Sequence, residues 1–253
     1  MRIKELDAYF RSHLDIEAME SSDASLNGLQ VGVAEQEVEK AAFAVDASME
    51  TFRRASEWGA ELLFVHHGLY WGKPLAVTGG HYRRLKHLLD NGLALYAVHL
   101  PLDLQPVFGN NAGLADALEL QEREPFGELG GWQIGFKGRL PQPQSLDRVL
   151  AALELDRSSA LGVMPFGPER IETVGVISGG ADKELDQAIA AGLDLFITGE
   201  ISHQTYHYAA EAGIHLVGGG HYHTETYGPK LLAEKCAADT GIETTFVDVP
   251  TGL

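Results

Sequence analysis

The run Leu62-Leu63-Phe64-Val65-His66-His67-Gly68 stops being apolar where its two imidazoles begin. Four apolar residues ahead of a closing glycine read as a buried strand, and strand ends in α/β proteins open onto the crevice where ligands bind. On its N-terminal side, Ala41 to Val45 reads as another strand, Ser48 as the cap of a helix to about Glu57, and Gly59 as that helix's end. On its C-terminal side, a helix from about His81 to Asp90 closes at Asn91-Gly92. It leads into Ala94-Leu95-Tyr96-Ala97-Val98-His99-Leu100-Pro101-Leu102-Asp103. Much later, Leu216-Val217-Gly218-Gly219-Gly220-His221-Tyr222-His223-Thr224-Glu225 has the same character. The strand–helix–strand rhythm predicts an α/β fold with mostly parallel sheets flanked by helices. Three apolar runs that each deliver histidine or carboxylate past their ends predict one metal site gathered from distant parts of the chain.

The stretch Ala41–His67 aligns without a gap on Val174–Glu200, at a constant offset of 133. Both read strand, small-residue turn, helix, glycine, acidic residue, apolar strand and polar cluster. Asn91-Gly92-Leu93 onward likewise resembles Ala212-Gly213-Ile214 onward. An internal duplication is expected, giving two similar α/β lobes with the metal site in the cleft between them. The first lobe is placed at 1–125 with His66, His67 and Asp103, and the second at 171–253 with His221 and Glu225. A connection of β-hairpin and helix fills 126–170: Gly130 to Pro141 alternates like an antiparallel strand ending at its proline, and Ser145 caps a helix from Leu146 to about Leu153. Helices are also expected from about Ile3 to Leu14 and from Asn111 to Leu118, with a polar turn at Ser21-Ser22-Asp23 and a turn into a short strand at Asn27-Gly28.

The chain of 253 residues, 45% apolar, has ample material for a core. Its 19 basic and 36 acidic residues give a net charge of −17, with no basic stripe, which argues against duplex nucleic acid and anionic membrane surfaces as partners. Cys236, the single cysteine, excludes an internal disulfide and thiolate-rich zinc sites, and sits in a helical pattern as a small core residue. The opening residues read as an amphipathic helix without a signal peptide's apolar region, and no run approaches membrane-spanning length, so a cytoplasmic protein is expected.

Each candidate has an ordinary reading as well. Adjacent histidines arise by chance and point to opposite faces of a strand; they serve two metals, or one metal if the backbone turns at Gly68. His221 and Glu225, four apart, share a helix face suited to joint ligation, or form a solvated helix start that Thr224 caps. Pro101 presents Asp103 rigidly, although an aspartate after proline is usually a turn residue. His99 reads as a support for ligands, with ligand and core as alternatives. Imidazole and carboxylate without thiolate suit Zn, Fe, Mn or Ni, and five donors, His66, His67, Asp103, His221 and Glu225, favour two metals about 3.5–4 Å apart. Glu200, which aligns with His67, is a candidate for acid–base work or ligand support, as is His99 for proton transfer. His203 and His207, four apart on the following helix, extend the site or only line it, Asn27 and Gln30 are candidate substrate contacts, and Ser178-Gly179-Gly180 is a weak anion-binding turn equivalent to Asp46. Walker A loops, dinucleotide fingerprints and nucleophile elbows are absent.

Five ordered motifs, Asn27-Gly28-Leu29-Gln30-Val31-Gly32, His66-His67-Gly68-Leu69-Tyr70-Trp71, His99-Leu100-Pro101-Leu102-Asp103, Thr198-Gly199-Glu200 and Gly220-His221-Tyr222-His223-Thr224-Glu225, resemble those of one family. It is the NIF-three-like dinuclear metal-centre family, whose bacterial YbgI-type members bear the name GTP cyclohydrolase type 2 homologue. The resemblance covers almost the whole chain. It implies metal ligation by His66, His67, Asp103, His221 and Glu225, two similar α/β lobes, and a toroidal homohexamer with metal pairs facing its interior. It also implies that the inserted domain of longer relatives is missing here. The chain departs from the commonest pattern at Gln204, where many relatives place a histidine.

The expected function is a metal-dependent hydrolase. Two divalent ions would hold a bridging hydroxide, Glu200 or His99 would manage protons, and the substrate would be GTP or another nucleotide-like molecule. A non-catalytic metal-binding, scaffold or metal-handling ring protein is the alternative. Threading of single-stranded DNA through a ring is a third reading, which the net charge disfavours.

Overall fold

Helix α1 (Ile3–His13) buries Ile3, Leu6 and Phe10, an i, i+3, i+7 stripe that needs a sheet to cover it. The computed structural model, which describes residues 1–253, provides one. After α1 come α2 (Ile16–Met19), β1 (Gly28–Val31), β2 (Lys40–Asp46), α3 (Met49–Trp58), β3 (Leu62–His67), α4 (Gly79–Asp90), β4 (Ala94–Ala97) and α5 (Leu100–Asp103). The chain continues through α6 (Asn110–Ala117), β5 (Gln121–Leu129), β6 (Trp132–Gln144), α7 (Leu146–Ala152), β7 (Gly162–Pro165) and β8 (Ile171–Ile177). A short 3₁₀ turn then precedes α8 (Leu185–Ala190), β9 (Leu195–Thr198), α9 (Thr205–Ala212), β10 (His215–Gly218) and α10 (His221–Thr224). Last are α11 (Tyr227–Thr240) and β11 (Glu243–Phe246). Two compact units result. Met1–Gln105 with Gly228–Val249 form unit 1, and Pro106–Tyr227 with Pro250–Leu253 form unit 2.

Unit 1 holds a five-stranded sheet in the order β1-β4-β3-β2-β11, parallel except for β1. Its central strands are buried on both faces, so they read as unbroken apolar runs. Phe43, Phe64 and Tyr96 stand opposite one another in register. Phe10 of α1 lies 5.0 Å from the Phe64 ring and 4.9 Å from the Tyr96 ring. Ala42, Leu63 and Leu95 face the other way, against Phe52 and Ala55 of α3 and Leu88 of α4. Ser48 caps α3 as its sequence predicts, its hydroxyl accepting from the Thr51 amide.

Unit 2 holds a six-stranded sheet, β5-β6-β8-β9-β10-β7, whose parallel centre β8-β9-β10 is flanked by antiparallel strands. Val174, Val176, Leu195, Ile197 and Val217 meet Leu114 of α6 and Val149 and Leu150 of α7. Strand β6 does not end at Pro141 but runs to Gln144. The prolines fit because pairing with β8 breaks register between Arg139 and Gln144, where a missing N–H costs no ladder bond. Ser145 precedes α7 without a side-chain capping bond.

The duplication is visible in register. Ala41 pairs with Leu62 in unit 1, and Val174 with Leu195 in unit 2, each related by the offset of 133. Glu61 accepts hydrogen bonds from the Glu39 and Lys40 amides, and Asp194 does the same for Glu172 and Thr173, again at that offset. Edge strands β1 and β7 both lie antiparallel beside the third strand of their trio.

Candidate metal centre

In unit 1 the carboxyl ends of β2, β3 and β4 carry the candidate metal donors. Strand β3 ends in His66 and His67, β2 ends in Asp46, and His99 follows two residues after β4. His66 is fully buried and its Nδ1–H donates to the Val98 carbonyl at 3.1 Å. The Nδ1–H of His67 donates to Asp46 at 2.9 Å, and that of His99 donates to Asp23 at 2.9 Å. A ring whose Nδ1 carries the proton presents its lone pair at Nε2, the arrangement of metal-binding histidines. The three rings have centroids 4.6, 5.1 and 5.6 Å apart, and one ligand atom from each lies within 4.8 Å of the others. Asp103, buried on α5, brings Oδ2 to 3.5 Å from His66 Nε2. Trp71 packs edge-on to His99, with centroids 4.9 Å apart, and donates its indole N–H to the Gly68 carbonyl.

The loop from Asp23 to Gln30 holds this end of the sheet together. Asp23 is buried and accepts four hydrogen bonds, from His99 Nδ1, the Ser25 and Leu100 amides and Asn27 Nδ2. Burial drives its carboxyl up, but the hydrogen bond and charge of His99, helped by the Asn27 and Ser25 donors, outweigh this and bring it to about 2. Asn27 also accepts the His99 amide through Oδ1, and Gln30 accepts the Leu69 amide through Oε1. A Cβ at Gly68 would lie 2.3 Å from the Gln30 amide nitrogen, so this close approach requires glycine. Asn27 and Gln30 therefore tie backbone segments around the histidines.

In unit 2 the equivalent sheet end carries a different set. His221 opens α10 and Glu225 follows it, with Nε2 and Oε2 3.2 Å apart, the one-face pairing that the four-residue spacing predicts. Glu225 is buried. Glu200, past the end of β9, accepts the Nδ1–H of His221 at 2.6 Å, so this imidazole too presents its lone pair at Nε2. Thr224 caps no helix. Its hydroxyl donates to the Gly220 carbonyl and accepts the Gly179 amide, pinning α10 to the turn after β8.

That turn is not an anion nest. The Ser178 amide donates to Asn111, the Gly179 amide to Thr224 and the Ala181 amide to Thr198. Gly179, at φ +67°, makes room for a carboxylate instead, since a Cβ there would sit 2.3 Å from Glu225 Oε1. His203 and His207 join neither donor set; they line a shallow concavity with Met164, Ile201 and Tyr206. Gln204 is an exposed residue ahead of α9.

Sequence reasoning missed Asp23 and gave Asp46 only a turn's role. Asp46 had a signal, because it stands opposite His67 in the parallel register. Asp23 had none, lying 76 residues from the ring it holds.

The donor chemistry matches divalent metal binding: oriented imidazoles and buried carboxylates, with the lone thiol, Cys236, buried in α11. No helix is long and apolar enough to cross a membrane. The Duf34/NIF3 (NGG1p interacting factor 3) family model matches residues 1–252. A GTP cyclohydrolase 1 type 2 homolog of Treponema pallidum (strain Nichols) is 45% identical, with all of both chains covered. One from Halobacterium salinarum is 47% identical over 92% of each chain. Among solved structures, TTHA1606 from Thermus thermophilus superposes with a TM-score of 0.89 at 38% identity, covering all of both chains. With the five motifs in order and this match from end to end, the chain belongs to the Duf34/NIF3 family.

Proposed function

We propose that the donor sets of the two units serve one centre for two divalent metal ions, and that the protein is a hydrolase of a nucleotide-like small molecule. The observation that carries this reading is the shared orientation of His66, His67 and His221, each tied through Nδ1 to a carbonyl or carboxylate. Asp103 and Glu225 complete the proposed ligand set. Each unit alone offers one carboxylate of the set, whereas Asp103 and Glu225 together would offset half of the positive charge of two divalent ions. Bound divalent ions would supply Lewis acidity and lower the pKa of water enough to give hydroxide near neutral pH.

The chain's own residues have separable roles. Asp46 and Glu200 hold His67 and His221 in one tautomer, which keeps Nε2 a donor. Glu200 is half-exposed, so it also has the access needed to accept or return a proton. His99, its Nδ1 held by Asp23, faces the same cluster through Nε2. The names of the relatives make GTP the first substrate to test, with one water opening the purine ring at C8 to a formamide and a second hydrolysing that formamide to release the carbon as formate. A toroidal homohexamer belongs to the same proposal and is read by sedimentation.

The test is elemental analysis of protein purified without added metal, beside a His66→Ala, Glu225→Ala double variant, with formate release from GTP measured on both. About two ions per chain, lost in the variant together with formate release, is the expected result. Metal without turnover would overturn the GTP hydrolase and favour a metal-handling protein. Absence of metal would overturn the centre itself.

A further inference from the structure

We infer that the N-terminus of α4 in unit 1 is a phosphate-binding site, where the first-turn amides, Thr78, His81 and Arg83 hold a phosphoryl group carried by a small molecule. The site would seat the phosphates of the nucleotide-like substrate proposed above, and rests on that reading for the identity of its ligand. None of its residues belongs to the metal donor groups.

The charge pattern singles this segment out. Between Glu61 and Asp90 no acidic residue occurs, while Lys73, Arg83, Arg84 and Lys86 do, in a chain of net charge −17. Lys86 pairs with Asp90 at 2.6 Å, but Lys73, Arg83 and Arg84 have no carboxylate partner. The helix end is equally unanswered. Helix α3 opens with Ser48 accepting the Thr51 amide and with Glu50 in its first turn. Helix α4, twelve residues long, receives no side-chain cap from Thr78 and has no acid in its first turn. The amides of Gly79, Gly80 and His81 meet no protein acceptor. Such an end carries about half a positive charge, and its N–H groups point at an approaching anion. Residues 71 to 80 are exposed throughout, so a ligand reaches it from solvent. A Cβ on Gly79 would find no atom within 4 Å, and one on Gly80 only the Arg83 guanidinium, at 3.8 Å. Open space, free amides and a guanidinium thus coincide at one turn.

An independent sign of a ligand is His81. The residue is 8% exposed, and neither of its ring nitrogens has a hydrogen-bond partner. Buried polar atoms are nearly always satisfied, so an imidazole that the protein leaves unmet twice points to a ligand that meets it. Tyr70 packs edge-on against the ring at 5.6 Å and holds it in place. His81 is the third residue of α4, and helical side chains lean towards the N-terminus, which brings its ring to the level of the free amides. Phosphoryl oxygens accept from amide, hydroxyl, imidazole and guanidinium donors alike, and Arg83 offers the fork that suits them. One helix end fits one phosphoryl group, and the neighbouring cations suit a di- or triphosphate. A nucleic acid would need a basic track, which the acidic remainder of the chain does not supply.

The experiment takes the full chain, stripped of metal by chelator so that no phosphate is held through an ion. It is titrated with inorganic phosphate, guanosine 5′-monophosphate, guanosine and a single-stranded oligonucleotide. Calorimetry gives the affinity, and hydrogen exchange read by mass spectrometry gives the place. We expect protection of the first turn of α4, with the monophosphate bound at least about tenfold more tightly than guanosine, the worth of one charge-assisted contact. Arg83→Gln should weaken phosphate binding about tenfold. Thr78→Asp puts a carboxylate where the phosphoryl group would sit. It should therefore abolish binding while raising thermal stability, a pair of effects that a merely structural Thr78 would not give. His81→Leu should also lose binding. Should that variant not fold, Thr78→Asp and Arg83→Gln, both at exposed positions, decide. Protection confined to other segments, equal affinity for guanosine and its monophosphate, or full binding by Thr78→Asp would overturn the site. Tighter binding of the oligonucleotide through the same turn would overturn the small-molecule assignment. No turnover is read, so phosphate binding without formate release would defeat the GTP hydrolase and leave this site standing. Failure of the site would in turn leave the metal count of the proposed centre unaffected.

Discussion

Units 1 and 2 share a frame and differ at its working end. In both, a parallel trio of strands keeps the same register, and an acidic residue ahead of the middle strand binds two amides of its neighbour. Past the middle strand, unit 1 places His66-His67 where unit 2 places Gly199-Glu200. The carboxylate–imidazole pair is thereby inverted. Unit 1 has the ring on the middle strand and the carboxylate, Asp46, on β2; unit 2 has the carboxylate on the middle position and the ring arriving from α10, after β10. Glycine occupies position 179, the counterpart of Asp46, and the room it leaves is taken by Glu225. Duplication preserved what packs and let the strand ends diverge, because a strand end can change its side chain without disturbing a core.

The frame can be attacked at matched points. Leu62 and Leu195 are register-equivalent and fully buried, so Leu62→Ala and Leu195→Ala should each cost about 2–5 kcal/mol. Denaturant unfolding with hydrogen exchange would show whether each loss is confined to its own unit. A large inequality would mean that the two cores are equal in geometry only. At the working end, Gly179→Ala meets Glu225 and an unfavourable positive φ, which should lower stability by about 1–3 kcal/mol and weaken metal binding at least about tenfold. Asp46→Gly, which makes unit 1 resemble unit 2 there, should leave the fold intact and weaken metal binding only. Calorimetric stability and metal titration of both variants separate the two cases, and equal destabilisation would break the comparison.

The smallest effect is in acid. The Asp23 carboxyl lies near 2 in the folded chain against 3.8 ordinarily. Its contribution to stability is therefore complete above the ordinary value and is lost as pH falls towards 2. Metal-stripped protein should weaken across that window, and Asp23→Asn should flatten the slope. An unchanged slope would show that the Asp23 carboxyl is not held low in the folded chain.

Much of this was readable from residues in order. Apolar runs ending in histidine gave β3 and the approach to His99, and the offset of 133 gave the repeated frame, since both depend on local pattern and spacing. Asp23 was hidden in a polar turn because its partner is remote in sequence. The passage of β6 through Pro141 depends on a register break in a neighbouring strand. Likewise, nothing in the periodicity of Tyr227–Thr240 tells which sheet receives β11. Such features are set by which elements meet, not by any one element.

The placement of β11 bears on the order of synthesis. All six strands of the unit 2 sheet lie within Pro106–Tyr227, whereas unit 1 waits for Glu243–Phe246 to pair with β2, the strand that carries Asp46. A ribosome therefore delivers a complete second sheet while the first still has an open edge beside the carboxylate that holds His67. The half of the molecule made first is the half finished last.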